Sequence, residues 1–221
     1  MEIVEGIHQV EGVNGNVYLV VNESKLILID TGMPRSSDKI LKYIHKMGRQ
    51  PSDVSQIVLT HSHVDHVGSA NKLKKATNAK IAVHEEDADF VAGKKPAPKP
   101  KNILFSALSS VVKPTPVEPD VRLKENDRAG NLIVVHTPGH TIGSISLLDP
   151  ARKVLFVGDA ITFKNGKLAG PTGQFTQDAI KAKQSIQKIS MLDFDVMLSG
   201  HGDPLRPEAA NKVKIFYAAM K

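Results

Sequence analysis

Three histidines and an aspartate fall within six residues, in the order His61-Ser62-His63-Val64-Asp65-His66. They follow directly on residues 56–60, Q-I-V-L-T, a short run of branched apolar residues that reads as a buried strand. A fold that accepts this pattern must bring a rigid strand end to a point where several metal-ligand side chains converge. If the backbone stays extended, alternation turns His61 and His63 the same way. Imidazole suits zinc, iron and nickel, and a carboxylate adds harder character. Three imidazoles alone complete a catalytic zinc site with one position left for water. The alternative is a turn of surface histidines, or a set of caps for the helix that follows.

The same arrangement recurs along the chain: each unusual polar residue stands just after a short apolar run. Residues 25–30, K-L-I-L-I-D, run into Thr31-Gly32-Met33-Pro34, and residues 132–136 run into Thr137-Pro138-Gly139-His140. Residues 154–157 end in Gly158-Asp159, and residues 195–198 in Ser199-Gly200-His201. Strand ends in α/β layers are where ligands bind, because rigid strands aim the loops. Further strands are expected over 16–21, 80–83 and 144–148, with a turn at Asn22-Glu23-Ser24. A helix capped by Ser36 or Ser37 is expected to bury Ile40, Leu41, Ile44 and Met47 and to stop at Gly48. Other helices are expected over 69–76, 85–91, 178–191 and 207–220, the one over 178–191 with Ile180, Ile186 and Ile189 on one face. His84 reads as a helix cap, His136 as a structural residue before the Thr-Pro-Gly loop with orientation of a metal ligand as the alternative, and His8 and His45 as exposed.

Composition narrows the classes. Among 221 residues there is no cysteine, which excludes disulfides, thiolate zinc sites, iron–sulfur clusters and a cysteine nucleophile, and fits a reducing cytoplasm. No basic, apolar leader opens the sequence and no apolar run approaches the length of a membrane span, so a cytoplasmic protein without a membrane partner is expected. The net charge of +6 is local. Residues 90–116 hold Lys94, Lys95, Lys99, Lys101 and Lys113 with no acid, and the rest is nearly neutral. Prolines bracket this stretch, so residues 93–119 read as an excursion with one helix over 102–112. It serves either as a lid, with Ile103, Leu104, Phe105 and Leu108 toward a substrate, or as packing on the core or on a second copy of the chain. Few aromatics interleave its lysines, so a nucleic-acid partner is not expected.

Together these motifs resemble the metallo-β-lactamase superfamily of metallohydrolases, over nearly the whole chain. Asp30-Thr31-Gly32 is similar to its first motif, and residues 60–68 to its H-x-H-x-D-H signature. His140, Asp159 and His201 match its later ligands. The resemblance implies an α/β fold, the four-layer αββα metallo-β-lactamase sandwich, formed by residues 1–221 as a single domain with the excursion. It implies two divalent metal ions, Zn2+ first and Mn2+ or Fe2+ as alternatives. His61, His63 and His140 would hold one ion, Asp65, His66 and His201 the other, and Asp159 would bridge them. Asp65 would move a proton in catalysis, and Asp30 and Thr141 would anchor the histidine rings.

The departures narrow the activity. An aspartate at position 159 resembles the ester, lactone, thioester and phosphoester branches rather than true β-lactamases. Only 20 residues follow His201, which disfavours the glutathione-thioester branch with its added helical domain. The expected activity is a dinuclear metal-dependent hydrolase acting on a lactone or carboxylic ester of small size. A phosphodiesterase or phosphotriesterase, and a mono-iron persulfide-dioxygenase-like oxidoreductase, are the alternatives. A homodimer is compatible with the excursion.

Overall fold

The computed structural model describes residues 1–96 and 113–220. The chain divides into two compact units, Met1–Leu123 and Lys124–Lys221.

The first unit is built on a seven-stranded sheet whose strands lie side by side in chain order. β1 (Glu2–Val4), β2 (Ile7–Gln9), β3 (Tyr18–Asn22) and β4 (Lys25–Ile29) form an antiparallel meander. β5 (Val54–Leu59), β6 (Lys80–His84) and β7 (Val121–Leu123) then add in parallel. Parallel strands need crossovers, and helices supply them. α1 (Ser37–Lys46) joins β4 to β5, and the single turn α2 (Val64–Val67) with α3 (Ala70–Thr77) joins β5 to β6. α4 (Glu85–Val91) follows β6. β4 and β5 lie at the middle of this sheet, and their apolar runs are buried from Leu26 to Ile29 and from Ile57 to Leu59. They pack with Ile40, Ile44, Leu73 and Val91 from the helices into one core.

The second unit holds a five-stranded sheet in the order β14-β11-β10-β9-β8. β8 (Arg128–Ala129), β9 (Leu132–His136), β10 (Ile145–Asp149) and β11 (Val154–Gly158) are antiparallel neighbours. β14 (Val196–Ser199) joins β11 in parallel after α5 (Ala179–Ile189). β12 (Thr162–Lys164) and β13 (Lys167–Ala169) make a small hairpin, and α6 (Ala209–Ala219) ends the unit. Leu155, Val157, Ile186, Ile189, Phe194 and Val213 share its core.

Three sequence expectations change. Ser36 occupies the N-cap position of α1, but its side chain makes no cap bond. The capping hydroxyl comes from Ser69, whose Oγ accepts from Ser36 N at 3.0 Å and from Ser37 N at 3.2 Å. Ile180 is not on the buried face of α5: it is 74% exposed, and Ala182, Ser185, Ile186 and Ile189 are buried. At 100° per residue, six positions place Ile180 roughly 120° away from Ile186 around the helix. His8 is half-buried rather than exposed, with Nε2 3.7 Å from Glu2 Oε1 and its ring edge-on to Tyr43. The helix expected over 102–112, Lys99, Lys101 and the lid residues Ile103, Leu104, Phe105 and Leu108 lie outside the described residues.

Where the excursion leaves and rejoins the first unit, both ends are tied. Val117 N donates to Val91 O at 3.1 Å. Lys94 pairs with Glu118 at 2.8 Å, and Lys95 with Asp89 at 3.4 Å. Arg122 also reaches Asp89, at 3.1 Å. These contacts hold the Asp89 carboxyl below its ordinary pKa, the Arg122 hydrogen bond contributing most. Two of the five lysines of the basic segment are thus neutralised locally.

Candidate metal centre

In the first unit β5 ends at Leu59, and Thr60 leads into the histidine turn. His61 is buried, His63 is the N-cap of α2, and Asp65 and His66 lie on that single turn. The rings of His61 and His63 meet edge-on at 4.8 Å between centroids, and His61 and His66 are 4.0 Å apart. Asp65 Oδ2 is 3.9 Å from His66 Nε2.

The turn is held from the end of β4. Asp30 is buried and left-handed, at φ 59°. Its Oδ1 accepts from Thr60 N at 2.7 Å, and its Oδ2 accepts from Thr60 Oγ1 at 2.8 Å. Oδ2 also lies 2.8 Å from His66 Nδ1. A carboxylate only accepts, so this bond places the His66 proton on Nδ1 and leaves the Nε2 lone pair for a metal. Thr31 fixes the other side of the turn: its N–H and its hydroxyl both donate to His66 O, at 2.7 Å each. Gly15 packs from the loop before β3, and a Cβ there would stand 2.3 Å from Asp65 O. Only glycine permits that approach.

In the second unit three more strand ends carry the remaining groups. His140 follows β9, Asp159 follows β11 and His201 follows β14. Asp159 Oδ2 is 3.4 Å from His140 Nε2 and 3.5 Å from His201 Nε2. These separations exceed an ordinary N–H···O bond. Two ligands held at about 2.0–2.2 Å in a tetrahedral shell stand about 3.4 Å apart. One carboxylate oxygen facing two imidazole nitrogens at that separation is a donor set suited to a metal.

The loop bearing His140 is braced by its own backbone and by α5. Gly139 N donates to Thr141 O at 2.9 Å, and the Thr141 hydroxyl meets Ser144 Oγ at 2.8 Å. Gln177 N and Asp178 N donate to His140 O and Gly139 O. Gly139 has φ 132°, and a Cβ there would lie 2.3 Å from Ala182 N. His136 Nε2 meets Ile142 O at 2.9 Å across the same loop.

Within each unit, then, the residues expected from the sequence are brought together. His61, His63, Asp65 and His66 gather with Asp30 in the first, and His140, Asp159 and His201 in the second.

Residues 10–201 match the family model described as the metallo-beta-lactamase superfamily. The chain belongs to that superfamily. The probable metallo-hydrolase YflN of Bacillus subtilis (strain 168) is 30% identical, over 92% of this chain and 86% of that protein. The probable metallo-hydrolase MJ0888 of Methanocaldococcus jannaschii is 26% identical, over 93% and 96%. Among solved structures, BJP-1, a subclass B3 metallo-beta-lactamase of Bradyrhizobium japonicum, superposes with a TM-score of 0.74. It is 25% identical, over 100% of this chain and 90% of that one. TTHA1623, solved in a di-iron-bound form, gives 0.72 at 26% identity, over 90% and 93%. The metallo-β-lactamase fold class expected from the sequence is the one found, and the chain is a metallohydrolase of that superfamily. Among the described residues no helix is long and apolar enough to cross a membrane.

One buried group in this superfamily member escaped the sequence reading. Asp87, on α4, is fully buried, and its Oδ2 accepts from Ser62 N at 2.8 Å, between His61 and His63. In sequence it is one acid among Glu85, Glu86, Asp87 and Asp89. Only the helical period singles it out: it shares the inward face of α4 with the buried Ala88 and Val91.

Proposed function

We propose that the chain is a dinuclear metal-dependent hydrolase that opens a lactone or a carboxylic ester. The observation that carries this reading is the Asp159 carboxylate oxygen between two imidazole nitrogens, at 3.4 and 3.5 Å. On this reading His61, His63 and His140 would hold one ion, Asp65, His66 and His201 the other, and Asp159 would be their shared ligand. Zinc is favoured, and the same donors accept manganese or iron. The di-iron form of TTHA1623 keeps iron in view.

When bound, two divalent ions supply a hydroxide near neutral pH and polarise the attacked oxygen. The chain's own groups do the rest. Asp30 fixes the His66 tautomer, and Asp87 fixes the backbone between His61 and His63. The Asp65 side chain is 28% exposed on the α2 turn. It keeps a path to solvent and delivers a proton to the leaving oxygen.

A phosphodiesterase or phosphotriesterase is the second reading. It is less favoured because Lys94 and Lys95 are tied to Glu118 and Asp89 rather than left for a polyanion. A mono-iron dioxygenase of persulfides is the third. The partner is a small molecule, no nucleic acid or membrane is involved, a homodimer is compatible, and the absence of cysteine favours the cytoplasm.

The test is turnover of an acyl-lactone and of an activated phosphodiester, each with and without a chelator, alongside metals counted per chain. Chelator-sensitive lactone opening with two metals per chain supports the proposal. Faster phosphodiester cleavage overturns it in favour of the second reading. A single iron with oxygen consumption on a persulfide overturns it in favour of the third.

A further inference from the structure

An open cleft of about 620 Å³ lies on the first unit, within the size range of small-ligand sites. Val13 and Asn14 form one wall, and Met33, Pro34, Arg35 and Lys39 the other. Both walls touch the histidine turn. The first continues to Gly15, packed on Asp65 O, and the second meets the turn's far end, where a Cβ on Gly68 would stand 2.3 Å from Pro34 N.

The charge of the cleft is one-sided, since no lining residue is acidic. The acids on neighbouring positions face other cations: Glu11 is 3.7 Å from the N-terminal amine, and Asp38 is 2.6 Å from Lys72 Nζ. Lys39 Nζ donates to Gly12 O, which keeps its charge at the wall. Arg35 is exposed and makes no ion pair among the described residues. Its backbone is left-handed, at φ 76°. That conformation is costly for a residue with a Cβ and persists where the surroundings enforce it. Here the turn from Met33 O to Ser36 N, at 3.1 Å, encloses it.

We propose that this cleft binds a carboxylate at the remote end of the substrate, through the Arg35 guanidinium. Val13, Met33 and Pro34 line the path of the intervening apolar chain. A planar guanidinium grips a carboxylate through two parallel hydrogen bonds, which suits the exposed Arg35 head group facing a monoanion. The inference rests on the ester-hydrolase reading for its substrate class, but the carboxylate site can be measured without turnover.

The experiment compares 4-nitrophenyl hydrogen glutarate with 4-nitrophenyl valerate, which differ only in a terminal carboxylate. It also measures glutarate binding to chelator-treated protein by calorimetry. Arg35→Asn is the variant, because asparagine accepts a left-handed backbone and preserves the turn. Lys42→Gln, on the exposed side of α1, removes one charge outside the cleft. The expected result is a glutarate-over-valerate preference in kcat/KM that Arg35→Asn lowers about tenfold, with a similar loss of glutarate affinity. Lys42→Gln leaves both unchanged. Turnover of both esters with no effect of Arg35→Asn on preference or binding overturns the inference and leaves the hydrolase reading intact. Arg35-dependent glutarate binding without ester turnover supports the cleft and overturns the ester reading.

Discussion

Asp30→Asn is the substitution that most directly probes how the fold prepares a metal ligand. The change is nearly isosteric, and asparagine tolerates φ 59°, so the backbone need not move. What changes is the second oxygen. Oδ1 must still accept from Thr60 N, at 2.7 Å in the native chain. The new amide nitrogen then replaces Oδ2, 2.8 Å from both Thr60 Oγ1 and His66 Nδ1. The Thr60 hydroxyl can rotate to accept. His66 Nδ1–H faces another donor, and relieving that clash moves the ring proton to Nε2, the nitrogen intended for the metal. Flipping the amide instead strands Thr60 N.

Either way one buried, charge-assisted hydrogen bond is lost, about 2 kcal/mol of stability. For a domain of this size that lowers Tm by about 4–8 °C. Metal affinity falls about 10- to 100-fold, the range for groups that orient a ligating histidine. Competition against a graded series of chelators measures the affinity, and calorimetric unfolding of metal-free protein measures the Tm. Wild-type metal affinity and wild-type Tm in the Asn variant would refute the argument that Asp30 sets the His66 tautomer.

Three further outcomes are expected. Asp87→Asn weakens the charge-assisted bond from Ser62 N and lowers metal affinity about tenfold by loosening the backbone between His61 and His63, as chelator competition would reveal. Burial alone would raise the Asp120 pKa, but the Lys74 hydrogen bond, Ile81 N–H and nearby positive charge outweigh it and leave it below the ordinary value. Its folded pKa being depressed, Asp120 contributes stability above the ordinary carboxylate pKa of about 4 that is lost as pH falls through the folded value. The Tm difference between wild type and Asp120→Asn therefore shrinks on acidification below about pH 4. Ile180→Lys leaves the unfolding free energy from urea titration within about 0.5 kcal/mol of wild type, whereas Ile186→Ala costs about 2–4 kcal/mol, and equal losses would restore Ile180 to the buried face.

The metal-ligand loops were legible because each follows a short, branched, apolar strand and is punctuated by glycine or proline. Periodicity also found α1, α3, α4 and the reach of α5. It had nothing to work on in β1, β2, β7 and β8, which run two or three residues each. The hairpin of β12 and β13 is equally short. Ile180 was misplaced because apolar character was read without its angle around the helix. Ser69 capping α1 was invisible for another reason. The hydroxyl that accepts from Ser36 N lies 33 residues away, and only the packed fold brings it there. Asp87 is the same kind of case: its partner, Ser62, is 25 positions distant.

The segment from Asp30 to Lys39 joins these observations. It leaves β4 through left-handed residues at Asp30, Gly32 and Arg35. A free loop would not hold Asp30 and Arg35, which carry a Cβ, in that conformation. This one is pinned at nearly every step. Asp30 N donates to Val58 O, Thr31 N to His66 O and Met33 N to Asn14 O. Ser69 Oγ donates to Met33 O at 2.8 Å. A Cβ on Gly32 would stand 2.8 Å from Ser36 Oγ, so the chain passes over itself with no room to spare. One half of the segment therefore orients His66, and the other half forms a wall of the cationic cleft. Because the backbone between them is held by bonds that involve neither the His66 ring nor the Arg35 side chain, a change confined to the Arg35 head group has no route to the His66 tautomer. Affinity for a remote carboxylate and the readiness of the metal ligand are in that sense separate properties of one rigid loop.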